Sequence, residues 1–270
     1  MDTVVAAPVA SGDFAADVAA FSAYWRGNLG NSGKQAARDA RYAFLRRHAR
    51  TLYDKLTDSQ RKFVRIERLA YEAATLVPGS ELHLHGVNLN PRRTGLLEIL
   101  ERMGANITLY NRRAIGGEPG GDLEIHSAPL VGTSVGAKEV PLAIDELPLF
   151  ALAAACARGE SVLHGAEELR AKETDRIEAT VDALRPLGAR ARANEDGFSI
   201  TGVPARLRGG RISSRGDHRI AMLGAVAGLA SREGVRVEGA DAVGVSFPGF
   251  FEMVERLRRS TRNQRQWNEP

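Results

Sequence analysis

Leu82-His83-Leu84-His85-Gly86 reads as a short strand that finishes on glycine, and the same form returns twice further along the chain. The echoes are Val162-Leu163-His164-Gly165 and Val235-Arg236-Val237-Glu238-Gly239, with the closing glycines 79 and 74 residues apart. A second echo follows the first two strands. Leu100-Glu101-Arg102-Met103-Gly104-Ala105 corresponds to Leu184-Arg185-Pro186-Leu187-Gly188-Ala189. Each closes a helix on a glycine suited to the left-handed cap position and leads into a strand. A recurrence this long predicts an α/β domain assembled from repeated strand–helix modules, not a solenoid of short repeats.

Outward from that region the texture changes at about Pro78–Ser80. Residues 13–78 carry no strand alternation and read as an all-helical segment. Tyr42, Leu45 and Leu52 mark one face of a helix over Arg38–Leu56, and Thr57-Asp58 offers a cap before a second helix over Arg61–Leu76. Pro78-Gly79 ends it. Residues 1–12 and the polar, arginine-rich stretch 259–270 read as disordered termini.

Hydrophobic residues at 43%, charged residues at 26% and aromatics at 6% are the proportions of a globular protein. No run approaches the roughly 18 apolar residues of a membrane helix. Residues 1–12 lack the basic start of a secretory signal. One cysteine, Cys156, excludes an intrachain disulfide and a cysteine-based metal site, and it reads as a small buried apolar side chain. A reducing cytoplasm fits. The net charge of +4 lies wholly in residues 1–78, where acidic and basic residues alternate along helical faces. A solvated helix surface explains that basicity better than a nucleic-acid site.

Three stretches carry chemistry. In Lys172-Glu173-Thr174-Asp175-Arg176 the two cations stand four apart, so a helix would place them on one face, near a terminus that favours anions. A solvated helix start laced with ion pairs is the competing reading. Beyond residue 78 the chain uses lysine only at Lys138 and Lys172. An isolated lysine in an arginine-rich chain suits a point charge or proton donor. In Arg215-Gly216-Asp217-His218-Arg219, Gly216 and Asp217 form a turn and N-cap, with His218 and Arg219 in the first helical turn. These two either face an anion or are an incidental basic pair. In Ile144-Asp145-Glu146-Leu147-Pro148 the carboxylates either cap the apolar helix that follows or accept a proton from a substrate hydroxyl.

Together these stretches resemble the EPSP synthase family. Lys172–Arg176 is similar to its Lys-Glu-(Ser/Thr)-Asp-Arg motif, Asp217-His218-Arg219 to its Asp-His-Arg motif, and Asp145 stands at its substrate-binding aspartate. Asn90–Gly95, Gly117–Asp122 and Ser246–Phe251 are further matches, in order, across residues 80–258. The resemblance implies a fold of repeated βαβαββ units, helices inside and sheets outward, with this chain holding one domain of the usual two. It implies transfer of the enolpyruvyl group of phosphoenolpyruvate to the 5-hydroxyl of shikimate 3-phosphate, with release of phosphate and without metal or cofactor. In that reading Asp145 binds the ring hydroxyls and helps take up the hydroxyl proton. Lys172 contacts the same hydroxyl, and Glu173 exchanges a proton at the enol methylene. Arg176 and Arg219, with His218 alongside, hold the phosphoenolpyruvate carboxylate and phosphate. A related transferase acting on a UDP-sugar fits the Lys-Glu-Thr-Asp-Arg wording less well.

The departures are specific. Val245 replaces a lysine of some members, and Glu168 a polar amide. The family's second domain has no convincing counterpart here, since Leu29–Gly33 only imitates one of its loops. A separate chain or a second copy would have to supply it. Residues 13–78 resemble instead the helical N-terminal region of dihydroxyphenylacetyl-CoA dioxygenase, a crotonase-superfamily enzyme, through Phe44–His48, Leu52–Asp58 and Val77–Gly79. The chain then reads as a fusion of two fragments. The alternative to a transferase is a non-catalytic remnant, a ligand-binding or oligomerisation module.

Overall fold

The chain divides into two compact units, Met1–Arg61 and Lys62–Pro270. The computed structural model describes residues 64–115, 118–203, 206–247, 250–251 and 254, all in the second unit. The helix expected over 38–56, the loop at 29–33, both termini, and the crotonase-like segment up to residue 63 lie outside the described residues.

Three modules follow one another. The first is α1 (Val64–Leu76), β1 (Glu81–Asn88), α2 (Gly95–Arg102), β2 (Asn106–Ile115) and β3 (Glu118–His126). The second is β4 (Ser134–Val135), α3 (Val140–Ala143), α4 (Leu147–Cys156), β5 (Gly159–Leu163), α5 (Arg176–Leu184), β6 (Arg190–Asn194) and β7 (Gly197–Gly202). The third is β8 (Gly210–Ser213), α6 (His218–Ala230) and β9 (Val235–Glu238). Strand orders repeat accordingly. The antiparallel sheet β1-β3-β2 corresponds to β5-β7-β6, and the parallel pair β8-β9 to β4-β5. The second module is a full βαβαββ unit. The texture change near Pro78–Ser80 falls inside the first module, between α1 and β1.

The three leading helices α1, α4 and α6 pack on one another inside the sheets. Their sequences account for this. Leu147–Ala155 of α4 is buried on every side, which a helix without a polar face requires. Helix α6 buries Ile220, Ala221, Leu223 and Ala227, and α1 contributes Leu69, Tyr71 and Ala74 to the same core. Cys156, at the end of α4, is partly buried against it, and burial with the nearby Glu72 carboxyl pushes its thiol up to about 12.

The glycine echoes have one physical cause. Gly86, Gly165 and Gly239 adopt φ of 72°, 70° and 71°. In Gly165 a Cβ would also stand 2.5 Å from that of Ala137, so no other residue fits the turn. Gly104 and Gly188 each end a helix in a Schellman motif. Ala105 N–H donates to Leu100 O at 2.9 Å, and Ala189 N–H to Leu184 O at 3.2 Å. One expectation needs correction: β1 does not stop at Gly86 but runs on to Asn88 through a bulge. The Gly86 amide donates to the buried Asp122 at 2.8 Å, as do Asn111 at 3.0 Å and Arg113 at 2.8 Å. Burial works against the Asp122 charge, but these donors outweigh it and hold the carboxyl at about 2.

Glu72 breaks the pattern. It is fully buried on the inward face of α1, and neither carboxyl oxygen has a hydrogen-bond partner. Burial raises its pKa well above the ordinary range, which favours the neutral acid. Stability from this group is therefore fully present below about pH 4.3 and lost as pH rises towards the folded-state value. Glu72→Leu is expected to stabilise the fold by about 1–3 kcal/mol at neutral pH and to flatten that decline. Urea unfolding of both proteins across pH measures it; unchanged stability in the variant would contradict the placement.

Candidate functional site

A cleft partly open to solvent lies where the amino-terminal parts of the inner helices meet. Arg68 enters from α1, Asp145 and Glu146 from the turn before α4, and His218 and Arg219 from the first turn of α6. Leu149, Met222 and Phe247 form its apolar wall.

Behind this cleft Arg176 is 1% exposed and Asp217 0%. Arg176 Nε donates to Asp217 Oδ2 at 2.8 Å, Nη2 pairs with the Glu173 carboxylate, and Nη1 lies 3.6 Å from Asp145 Oδ1. Thr174 Oγ donates to Asp217 Oδ2 at 3.2 Å. Arg219 Nη2 sits 2.7 Å from Asp145 Oδ2, while its Nη1 donates to the Asp145 carbonyl at 2.9 Å. Asp145 thus stands between two guanidinium groups, one from α5 and one from α6.

Electrostatics follow from burial and partners. Burial opposes the Asp217 charge, yet hydrogen bonds from Arg176 and the Arg219 amide, with the Arg176 and His218 charges, hold its carboxyl below the usual range. Burial lowers His218, helped by Arg219, against the pull of Asp217 and Glu173, which favours the neutral imidazole. Glu146 is 5% exposed, pairs with Arg68 and has Arg219 Nη1 at 3.9 Å. Burial raises its carboxyl despite those two cations.

Several expectations change. Lys172 and Arg176 do not share a helix face. Lys172 is extended, just past a 3-10 turn over Glu167–Ala171, and α5 begins only at Arg176. The reason is Asp175, whose side chain accepts from the Ile177 and Glu178 amides and so starts the helix there. Asp217 caps α6 likewise, accepting from the Arg219 amide, so these capping carboxylates bond amides at each helix start that an anion was expected to use. Lys172 pairs with Glu168, while Asp145, Glu173, Arg176, His218 and Arg219 do come together. Glu146 makes no side-chain capping bond to α4. Arg68 is the residue sequence reasoning missed. Its spacing of four from Glu72 advertises a bond along α1, which hides its partnership with Glu146, 78 residues away. Among the described residues, no group of three or more His, Cys, Asp or Glu is placed to hold a metal ion, and no helix is long and apolar enough to cross a membrane.

Comparison with known proteins matches residues 65–254 to the family model for EPSP synthase (3-phosphoshikimate 1-carboxyvinyltransferase). The chain belongs to the EPSP synthase family. Its curated relatives include 3-phosphoshikimate 1-carboxyvinyltransferases from Salinibacter ruber, 48% identical over 68% of this chain and 43% of that protein, and from Halorhodospira halophila, 50% identical over 68% and 41%. The chain therefore spans less than half the length of these relatives. Among solved structures, EPSP synthase from Acinetobacter baumannii superposes with a TM-score of 0.66 at 42% identity, covering 70% of this chain and 44% of that one. The enolpyruvyl transferase NikO from Streptomyces tendae shares the fold, with a TM-score of 0.56 at 17% identity over 72% of this chain and 42% of its own.

The His218 ring signals should titrate below about pH 6.5, and Asp217→Asn should lower the midpoint further by removing the charge that favours the imidazolium. NMR titration reads both; a midpoint above the ordinary value would contradict the site electrostatics.

Proposed function

We propose that this chain supplies one wall of a site for enolpyruvyl transfer from phosphoenolpyruvate to shikimate 3-phosphate. One observation carries the reading: Asp145, Glu173, Arg176, His218 and Arg219 reach one cluster from three separate segments. Both proposed substrates are anions, and paired guanidinium groups suit carboxylate and phosphate.

In this reading Asp145, placed between Arg176 and Arg219, takes ring hydroxyls and helps accept the 5-hydroxyl proton. Glu173 exchanges the proton at the enol methylene. Arg219 and Arg176 steady the negative charge of the transferring group as phosphate departs. Lys172 reaches the substrate hydroxyl only after leaving Glu168. The domain takes in α1, the leading helix of its first module, together with residues 80–258. It works in the cytoplasm, opposite a second wall from another chain, a second copy or a further segment, because reacting groups must be held from both sides.

Phosphate release from the two substrates tests this, with the chain alone and mixed with the N-terminal half of the Salinibacter ruber relative. Release is expected in the mixture, lowered about 10²-fold or more by Asp145→Asn or Glu173→Gln. Binding of shikimate 3-phosphate without release in either arm would favour the ligand-binding module. Absence of both would contradict the proposal.

A further inference from the structure

Glu146 has no counterpart in the roles above, yet it is the most enclosed acidic side chain of the cleft. Its carboxylate is bonded to Arg68 from α1 and lies 3.9 Å from Arg219 Nη1 on α6. The other charged or titratable groups near it are Asp145, its chain neighbour, and His218, next to Arg219 on α6. Arg68 is anchored at its other end, where Nη2 donates to the Arg93 carbonyl at 2.8 Å. That contact leaves the remaining guanidinium edge directed at Glu146. A carboxylate bonded to one arginine, near a second and beside an apolar wall has the chemistry of a bound anionic ligand, supplied here by the chain itself.

We propose that Glu146 is an internal counter-anion, occupying Arg68 beside Arg219 until a carboxylate or phosphate displaces it, and that Arg68 is thereby an anion-binding residue of the cleft. The inference rests on the reading that the cleft takes an anionic ligand, but not on enolpyruvyl transfer itself. An incoming anion and Glu146 compete for the same donors. Protonating Glu146 weakens the competitor, and burial already moves it towards protonation. Anion affinity therefore rises as pH falls. His218 adds a rise of its own on protonation, and that part is common to proteins that differ only at residue 146.

Sulfate is the probe, because its charge is constant over the working range and it undergoes no transfer. Its binding is measured by calorimetry at about pH 8.5 and about pH 5.5, on either side of the carboxylate and imidazole range. Glu146→Gln is expected to bind sulfate about tenfold tighter than the parent chain at the higher pH, the scale of one charge-assisted hydrogen bond. The gap should narrow at the lower pH. Arg68→Gln alone should weaken binding by a similar factor, and adding it to Glu146→Gln should cancel the gain. Circular dichroism checks folding, and Glu146→Ala carries the same comparison if the glutamine variant does not fold. Equal or weaker binding by the Glu146 variants, a gap that ignores pH, unchanged binding in Arg68→Gln, or no sulfate binding by any form would each overturn the proposal. Sulfate binding as expected with no phosphate release under any arrangement would sink the transfer reading alone.

Discussion

A single buried guanidinium organises this domain's chemistry. Arg176 is removed from water at the start of α5, and such a charge is tolerated only where carboxylates meet it. Asp217, also buried, meets Nε; Glu173 meets Nη2; Asp145 approaches Nη1. These three acids come from three places: the cap of α6, the turn before α5 and the turn before α4. One cation's need for counter-charge therefore draws the loops of separate modules together. Asp217 serves twice, since it also caps α6 and so sets where Arg219 leaves the helix.

The repeated module explains why the charges collect at this end of the fold. Each unit sends its leading helix inward, and α1, α4 and α6 pack together within the sheets. The residues at their amino-terminal parts then face a common cleft. Strands and left-handed glycines flank the helices, with Gly86, Gly165 and Gly239 taking the same positive φ at the matching point of each unit. Rigid packing along α4, buried throughout, leaves variation to the loops, where the acids and arginines stand.

What the sequence disclosed depended on range. Local chemistry was legible: Asp217 ahead of an apolar run is a cap, and a glycine after a helix closes it in the left-handed conformation, as Gly104 and Gly188 do. Lys172 and Arg176 misled because spacing assumes a helix already begun. Asp175 captures two amides and starts α5 only at Arg176, leaving Lys172 to Glu168. Arg68 and Glu146 were illegible because their partnership exists only after α1 and α4 have packed. Glu72 illustrates the same limit in reverse, since its spacing from Arg68 suggests a surface ion pair but it is wholly buried. The family's motifs supplied what spacing could not, gathering residues that lie up to 74 positions apart.

The gathering of the site depends on Arg176 and Asp217 acting as one unit. A double-mutant cycle on unfolding free energy, with Arg176→Met, Asp217→Leu and the pair together, measures this most directly. Each single change should cost about 3–5 kcal/mol, because it strands a buried charge, while the double change should be far less costly than their sum. Additivity within about 0.5 kcal/mol would mean the two side chains are energetically independent and that something else gathers the site.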